Sequence, residues 1–302
     1  MFMQKELIFI NWEELKMKKL LSVLLVVALM LSMVACGGNA DEGKDEVVKA
    51  KVIEVDLTQE DYAFGVDKAQ PELLTQVNDF IAEIMENGKF EEICDHYFGD
   101  GEPVAVKSAE VDESKDQLLV ATNLEFAPFE YKEGDNIYGI DMEIAALLAE
   151  KLGKELVIVN MDFDAVCLSV GQQKADIAMA GLTVKEDRKE YVEFSSTYYN
   201  AAQKIIVPSN NTEFDDCKEA ADVEAILKTK DSSCKIGVQT GTTGEFYSAG
   251  DADWGFDGFD VETKGYKSGS LAVQDMLNGN IDYVIIDSAP AAAISAAINE
   301  MR

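Results

Sequence analysis

The sequence predicts an α/β protein built as two lobes. Two separate series of short apolar strands and amphipathic helices run along the chain, one beginning at Leu118 and the other at Lys235. Strands that alternate with helices are typical of mostly parallel sheets covered by helices on both faces. With 302 residues, the chain is long enough for two such cores.

The first series predicts three strands separated by two helices. In order, its segments are strand LLVAT (118–122), a helix from Asp141 that ends at Gly153, strand ELVIV (155–159), helix AVCLSVGQQK (165–174) and strand DIAMAG (176–181). Glycine is a frequent residue just after a helix because it adopts left-handed backbone angles readily, so Gly153 is a good stop signal.

The second series predicts two strands and three helices. In order, its segments are strand KIGV (235–238), a helix after Thr243, a helix near 271–277, strand DYVII (282–286) and an alanine-rich helix after Ser288. Between the two series, YYNAAQKIIVP (198–208) is rich in β-forming residues and ends in proline. We expect this segment to cross from one lobe to the other.

Charge and composition exclude several classes of function. The chain has 57 acidic against 26 basic residues, a formal net charge of −31, which would repel nucleic acid and anionic lipid headgroups. Its only histidine is His96, and its cysteine spacings fit no zinc pattern. We therefore expect no nucleic-acid partner, no metal and no cofactor.

The N-terminal region is predicted to be a secretion signal. From Met17 the chain reads MKKLLSVLLVVALMLSMVACGG, two lysines and an apolar run that is shorter than a membrane span. Its end, MVAC, resembles the lipobox of bacterial lipoproteins, which implies lipidation at Cys36. We expect residues 1–35 to be the signal, with Met17 as the true start, and 36–46 to be a lipidated, polar tether.

The other four cysteines divide into two pairs. Cys217 and Cys234 flank one presumed helix, and they would form a disulfide outside the cell if their Cα atoms lie close enough, which sequence does not reveal. Cys94 and Cys167 lie among apolar residues at helical spacing. We expect these two to be small buried hydrophobes.

Two segments together suggest a site for a small zwitterion. IAMAGLTVKEDR (177–188) predicts a strand, a glycine turn and a helix whose first turn carries Arg188, an arrangement suited to a carboxylate. IDYVIID (281–287) predicts a buried strand that ends at Asp287. An acid at that strand end, facing Arg188 across a cleft, would bind the ammonium group; the alternative for Asp287 is a helix cap.

These two segments, with four others, resemble the amino-acid-binding family of extracellular solute-binding proteins that serve ABC importers. The other four are ATNLEFAPFEY (121–131), MDFDAV (161–166), VEFSSTYY (192–199) and GVQTGTTGE (237–245). The resemblance implies a periplasmic-binding-protein type 2 fold, two α/β lobes that close about a hinge. It also implies a monomer, lipid-anchored on the outer face of the cell membrane, that delivers a free L-amino acid to ABC permease subunits.

The resemblance also assigns roles to individual residues. Arg188 would pair with the ligand carboxylate, helped by Thr183 and Thr243, while Asp287 and the carbonyl of Gly181 would hold the ammonium group. Phe126 and Phe163 would sandwich the ligand side chain, and Phe129 and Tyr131 would be core. The candidates for reading the end of that side chain are Asn123, Glu125, Lys185 and Gln239.

The expected ligand is a polar neutral amino acid such as glutamine. Members of the family that bind arginine or lysine often have an aspartate where Asn123 stands, and many members have threonine where Lys185 stands. The uncharged Asn123 argues against a cationic ligand, although Glu125 could restore a site for one. Two alternative functions are a dehydratase or lyase on the same fold, with Glu125 as its acid or base, and an amino-acid-sensing module. Nucleotide binding is not expected, because Glu245 stands where a phosphate-binding loop needs lysine.

The order of the segments predicts a circular permutation. In the family, a segment like 47–99 closes the chain: a strand, a return crossing at 62–66, a helix opened by Pro71 and stopped by Gly88, and a last short helix. We therefore expect 60–107 with 118–207 in lobe 1, and 47–59 with 208–302 in lobe 2, joined through 100–117. The alternative is a fragment fused to a truncated neighbour.

Overall fold

The computed structural model describes residues 47–301 except Trp254. The expected signal (1–35), the lipidation site Cys36 and the tether (36–46) lie outside these described residues. In the described part, no helix is both long and apolar enough to cross a membrane.

The first lobe is built on a five-stranded sheet. Its strands, in spatial order, are β10 (Val192–Phe194), β3 (Gly65–Asp67), β9 (Ile177–Ala178), β4 (Gln117–Thr122) and β8 (Glu155–Asn160). β4 runs parallel to β8 and β9, whereas β3 runs antiparallel to β9 and β10. The helices in the same half of the chain are α1 (Pro71–Glu86), α2 (Lys89–Phe98), α3 (Ile140–Leu152) and α4 (Val166–Gly171).

The second lobe is built on another five-stranded sheet. Its strands, in spatial order, are β1 (Ala50–Val52), β12 (Gln203–Pro208), β15 (Tyr283–Asp287), β13 (Lys235–Gln239) and β14 (Glu262–Tyr266). β13 runs parallel to β14 and β15, and β12 runs antiparallel to β15 and β1. The helices of this half are α5 (Ala220–Leu227), α6 (Thr243–Ala249), α7 (Gly269–Leu277) and α8 (Ser288–Glu300). The α/β class expected from the sequence is confirmed.

Two short strands lie between the sheets and pair with each other. They are β2 (Glu60–Tyr62) and β11 (Tyr199–Ala201), which run antiparallel. The chain passes from β1 in the second sheet through β2 to β3 in the first, and it returns through β11 to β12. One boundary differs from expectation: 203–208, assigned to lobe 1 as far as 207, bonds into the second sheet because β12 pairs with β15.

Local sequence signals locate the N-terminal helices correctly. α1 begins at Pro71 and buries Leu73, Val77, Phe80, Ile81 and Ile84. Gly88 follows with φ +79, a left-handed angle that separates α1 from α2. The apolar side of α1 is therefore packed in the protein.

Residues 100–116, most of the segment expected to join the permuted ends (100–117), lie along an edge of the first sheet. The backbone N–H of Ala109 donates to Leu156 O at 2.9 Å, and the N–H of Ile158 donates to Ser108 Oγ at 2.8 Å. Val106 N–H bonds to Ile137 O at 2.8 Å. These bonds cover β8, whose outer side is otherwise an open strand edge.

Several elements differ from the sequence prediction. The strand expected over 176–181 is only Ile177–Ala178, and the helix expected over 165–174 is a 3₁₀ turn, Phe163–Ala165, followed by α4. The helix expected at Arg188 is a single 3₁₀ turn, Arg188–Glu190, because the chain then enters β10 and pairs with β3. A three-stranded meander was not predicted: β5 (Glu125–Phe126), β6 (Glu130–Glu133) and β7 (Asn136–Tyr138).

All four described cysteines are free thiols. The disulfide considered between Cys217 and Cys234 is therefore not formed in this structure. Both side chains instead pack, half-buried, against the core of the second lobe. Cys167 is buried as expected, and Cys94 is half-buried against the core of the first lobe.

Candidate functional site

Arg188 lies at the contact between the two lobes and is almost fully buried, with 9% of its surface exposed. Its Nη1 donates to Thr183 O at 2.8 Å, and its Nη2 donates to Gly241 O at 3.0 Å. Gly241 belongs to the turn after β13, so this guanidinium connects one lobe to the other. The position comes from the glycine turn and the 3₁₀ turn, with no long helix behind it, so the expected helix dipole is not part of this site.

The turn at Gly181 requires glycine. Its φ is +53, and a Cβ placed there would lie 2.9 Å from the Phe126 ring and 3.2 Å from the Tyr62 ring. Its N–H donates to Asp141 Oδ2 at 2.9 Å, and Asp141 Oδ1 accepts a bond from Tyr198 at 2.7 Å. Burial raises the pKa of Asp141 to about 7. A buried carboxyl group thus holds the turn that leads to Thr183 and Arg188.

Asp287 is buried at the end of β15, with 3% of its surface exposed. The hydroxyl of Tyr62 donates to its Oδ1 at 2.5 Å. Although Asp287 occupies the N-cap position of α8, its side chain makes no capping bond, which rules out the helix-cap alternative in this structure. Burial first, and then the nearby charge of Glu60, raise the pKa of Asp287 to about 7.

Glu60 is a second buried acid beside Asp287, with 3% of its surface exposed. Its Oε2 accepts a bond from the hydroxyl of Thr183 at 2.7 Å, and its Oε1 accepts bonds from Thr58 at 2.6 Å and from Gln203 at 3.0 Å. Thr243 Oγ1 donates in turn to Thr183 Oγ1 at 3.2 Å. Thr183 and Thr243 are therefore brought together across the cleft.

The amide side chains of Asn123 and Gln239 meet across the cleft. Gln239 Nε2 donates to Asn123 Oδ1 at 3.0 Å, and Asn123 Nδ2 donates to Met161 O at 2.8 Å. Both residues are buried. Gln239 Oε1 is buried and has no hydrogen-bond partner among the described residues. The structure thus brings together two of the four residues expected to read a ligand side chain.

The other two lie elsewhere. Glu125 is exposed to solvent on β5, so its carboxylate is outside the buried cleft. Lys185 is buried, but its ammonium lies 3.2 Å from the centre of the Phe246 ring and 3.3 Å from Asp251. Asp187 is its third partner, at 3.4 Å. Since Phe246 and Asp251 belong to the second lobe, Lys185 joins the lobes instead of presenting its charge to a side-chain pocket.

The two predicted aromatic residues are both buried near these groups. Phe126 has 2% of its surface exposed and Phe163 has 8%. The guanidinium carbon of Arg188 lies 5.2 Å from the centre of the Phe163 ring. Phe129 is core, as predicted, while Tyr131 is only half-buried.

A cavity of about 210 Å³ opens beside Arg188, between the lobes. Phe163, Leu182, Gly241 and Phe246 contribute to its walls. Asp164 and Asp187 also line it, and of the residues predicted to bind a ligand only Phe163 and Arg188 do. The cavity therefore adjoins the predicted site at Arg188, and Asp287 is not among its lining residues.

The sequence reasoning missed the residues that support the charged groups: Glu60, Tyr62, Glu130, Asp141 and Gln203. Tyr62 and Asp287 are 225 residues apart in the chain, so no local pattern connects them. Glu130 is fully buried, and neither of its carboxyl oxygens has a hydrogen-bond partner among the described residues. Burial raises its pKa well above the usual range, with Asp141 and Asp287 adding to the effect.

Comparison with known proteins places the chain among binding proteins. The arginine-binding extracellular protein ArtP of Bacillus subtilis is 34% identical over 131 residues, which cover 43% of this chain and 47% of ArtP. A probable histidine-binding protein of Neisseria gonorrhoeae is 29% identical, covering 56% of this chain and 58% of that protein. The chain thus spans about half the length of these relatives.

Two solved structures are similar as well. A mutant of the arginine-bound ArgBP from T. maritima is 33% identical with a TM-score of 0.51, covering 61% of this chain and 79% of that one. The ancestral amino acid-binding protein AncCDT-1, a precursor of cyclohexadienyl dehydratase, is 29% identical with a TM-score of 0.51, covering 61% and 74%. All four proteins are named as binding proteins, in agreement with the expectation that this chain is not an enzyme.

The family model that matches is that of the bacterial extracellular solute-binding proteins, family 3, over residues 118–301. This range is more than half of the chain, and it includes Asn123, Arg188 and Asp287. The chain belongs to the bacterial extracellular solute-binding proteins, family 3.

Proposed function

We propose that this protein captures a free L-amino acid between its two lobes and delivers it to an ABC importer. The observation that carries the proposal is the pair of buried, oppositely charged groups on different lobes, Arg188 and Asp287. A buried guanidinium matches the two oxygens of a carboxylate, and a buried aspartate matches an ammonium group. An L-amino acid carries both of these groups on one carbon atom.

The energetics favour a zwitterion over a ligand with a single charge. Burial holds the pKa of Asp287 near 7, which means that ionising this carboxyl group in the protein is unfavourable. An ammonium group beside it would stabilise the ionised form, because an opposite charge at short range favours ionisation. A ligand without that group would leave Asp287 uncompensated.

Closure of the lobes about β2 and β11 is the proposed mechanism of capture. Arg188 contacts Gly241, Gln239 contacts Asn123, and Lys185 contacts Phe246, in each case across the cleft. A ligand enclosed there would touch both lobes, and separation of the lobes would release it.

For the ligand side chain, we propose a polar neutral group such as that of glutamine. The Asn123–Gln239 pair offers amide donors and acceptors without a charge, and the carboxylate of Glu125 is exposed. Relatives named for arginine and histidine make these two amino acids the competing ligands for any test.

We further propose that the chain is permuted and lipid-anchored outside the cell, as a monomer. The pairing of β1 with β12, of β2 with β11, and of β3 with β9 supports the permuted order, since all three partners come from the body of the family match. On this proposal, the tether from Cys36 enters the second lobe at β1.

Calorimetric titration with glutamine, arginine and histidine tests the proposal. We expect one of these to bind the wild-type protein, and Arg188→Ala to abolish that binding. Removing one partner from a buried charge pair costs roughly 3–5 kcal/mol, which is about a hundredfold or more in affinity.

The matched control is Lys189→Ala, which removes an exposed neighbouring cation that pairs with Glu186. It should bind as the wild type does. A folded Arg188→Ala protein with near wild-type affinity would overturn the zwitterion site.

A further inference from the structure

A short segment outside the family match lies against the proposed ligand site. Residues 58–64 precede the matched range 118–301, yet Ala63 N–H donates to Leu182 O at 3.0 Å and Val184 N–H donates to Asp61 O at 3.1 Å. The segment therefore runs beside the loop that carries Thr183. Its side chains at 60 and 62 point to the two groups expected to bind the ligand.

Tyr62 reaches Asp287. Its side chain is completely buried, and its ring packs edge-on against Phe129 with centres 5.2 Å apart. A second ring, that of Tyr199, lies 5.7 Å away. Packing on these sides fixes the ring, so the 2.5 Å bond from its hydroxyl fixes the position of Asp287 Oδ1.

Glu60 reaches Thr183. Because the Thr183 hydroxyl donates to Glu60 Oε2, its single proton is engaged by that carboxylate. Its oxygen accepts from Thr243 instead. Thr183 thus holds its neighbours in place but does not donate this proton to a ligand carboxylate, which leaves that task to Arg188.

We infer that Tyr62 and Glu60 are positioning residues of the ligand site: Tyr62 orients the Asp287 carboxylate, and Glu60 orients the Thr183 hydroxyl. This inference rests on the proposed role of Asp287 in binding an ammonium group. It extends the site to a segment that the family model does not cover.

The electrostatic surroundings of Asp287 give the two residues opposite effects. The polar or titratable groups that act on Asp287, or are affected by its charge, come from four strands: Glu60 and Tyr62 on β2, Gln203 on β12, Tyr199 on β11 and Glu130 on β6. Glu60 raises the pKa of Asp287 by charge repulsion, whereas the bond from Tyr62 lowers it. Removing one or the other should therefore shift its titration in opposite directions.

The test is the pair Tyr62→Phe and Glu60→Gln, measured in two ways. The first is the chemical shift of the Asp287 carboxyl carbon, followed by NMR as a function of pH in ligand-free protein, with Asp287→Asn used for assignment. The second is calorimetric affinity for glutamine, arginine and histidine between pH 5.5 and 8.5.

For Tyr62→Phe, we expect the titration midpoint of Asp287 to move to higher pH and the affinity at pH 7 to fall about tenfold or more, because a hydrogen bond to a charged group is lost. For Glu60→Gln, we expect the midpoint to move to lower pH, because a repelling charge is removed, and the affinity to fall, because the Thr183 hydroxyl loses its charged acceptor. Tyr283→Phe is the control, because it removes a similar bond, 2.8 Å to Glu213, at the start of β15, the opposite end of that strand from Asp287. It should change neither quantity.

The outcomes separate the two proposals. An unchanged midpoint in folded Tyr62→Phe protein would overturn the positioning of Asp287 by Tyr62, whatever the wild type binds. An unchanged affinity in folded Glu60→Gln protein would overturn the positioning of Thr183 by Glu60. If the midpoints of the variants shift but the wild-type protein binds none of the three amino acids, the proposed function is overturned. The positioning of Asp287 by Tyr62 then still holds.

Discussion

Asp287→Asn should make the ligand-free protein more stable at neutral and alkaline pH while removing its ability to bind. The carboxyl group is 3% exposed, and its pKa is raised from 3.8 to about 7. Each unit of that difference corresponds to about 1.4 kcal/mol, so ionising Asp287 in the folded protein opposes folding by about 4 kcal/mol as an upper bound.

The sign of the pH dependence follows from the two pKa values. Between about pH 4 and pH 7, the unfolded chain has Asp287 ionised while the folded protein keeps it protonated. The folded state therefore binds more protons, and stability falls as the pH rises through this window. Above pH 7 the full penalty applies. Asp141, whose pKa is also raised to about 7, contributes in the same direction.

Substitution by asparagine removes the charge and keeps the shape. The new carbonyl oxygen can accept the bond from Tyr62. In a domain of this size, 1 kcal/mol shifts the Tm by roughly 2–4 °C. We expect the Tm of the variant at pH 8 to rise by several degrees, with a smaller change at pH 5.

The assay is thermal unfolding of ligand-free protein from pH 5 to pH 8. Asp79→Asn, an exposed position on α1, is the control for loss of one negative charge from a chain of net charge −31. The reasoning fails if the Asp287→Asn variant is no more stable than this control at pH 8, or if its Tm falls as steeply with pH as that of the wild type.

Three further predictions concern closure, selectivity and chain order. Lys185→Met should weaken ligand binding about tenfold and give a less compact protein by small-angle scattering. The reason is the loss of the contact between Lys185 and Phe246, since a desolvated cation–π contact contributes about 2 kcal/mol. Lys267→Met, which removes an exposed ion pair with Asp162 between the lobes, should change neither quantity. In a thermal-shift screen, glutamine should give the largest shift, and dominance of arginine would show that the neutral Asn123 does not govern the pocket. A chain of residues 118–302 should be insoluble or molten, since it lacks α1 and exposes the surface that α1 covers; a stable, ligand-binding product would refute the permuted order.

The regular elements were predictable because their signals are local. Short, mostly apolar segments of four or five residues identify β4, β8, β13 and β15, and Gly153 with φ +70 ends α3 as its position suggests. Gly181 and Arg188 were found for a similar reason, since both lie in one twelve-residue segment. The meander β5–β7 was missed because strands of two to four residues carry too little periodicity to be distinguished from turns.

The supporting residues were not predictable, because each depends on a contact between distant parts of the chain. Glu60 meets Thr183 across 123 positions, and Lys185 meets Asp251 across 66. Lys185 shows the difficulty well. As a cation near Arg188 it was expected to read a ligand side chain, and only the location of Phe246 and Asp251 shows that its charge is already compensated.

The same contacts explain why the position of a segment along the chain matters less than its hydrogen bonds. Residues 50–67 contribute β1 to the second sheet, β2 to the pair between the lobes and β3 to the first sheet. Each strand is held mainly by main-chain bonds, which require only that the strand arrive at the right edge in the right register. A segment placed before residue 118 can reach those edges if the chain that follows it is long enough. Residues 100–116 provide that length, and they also cover the edge of β8. Residues 50–67 also carry Glu60 and Tyr62. Any movement of the lobes about β2 would therefore displace the groups that hold Asp287 and Thr183. Closure and ligand binding would then be coupled through the same three residues of β2.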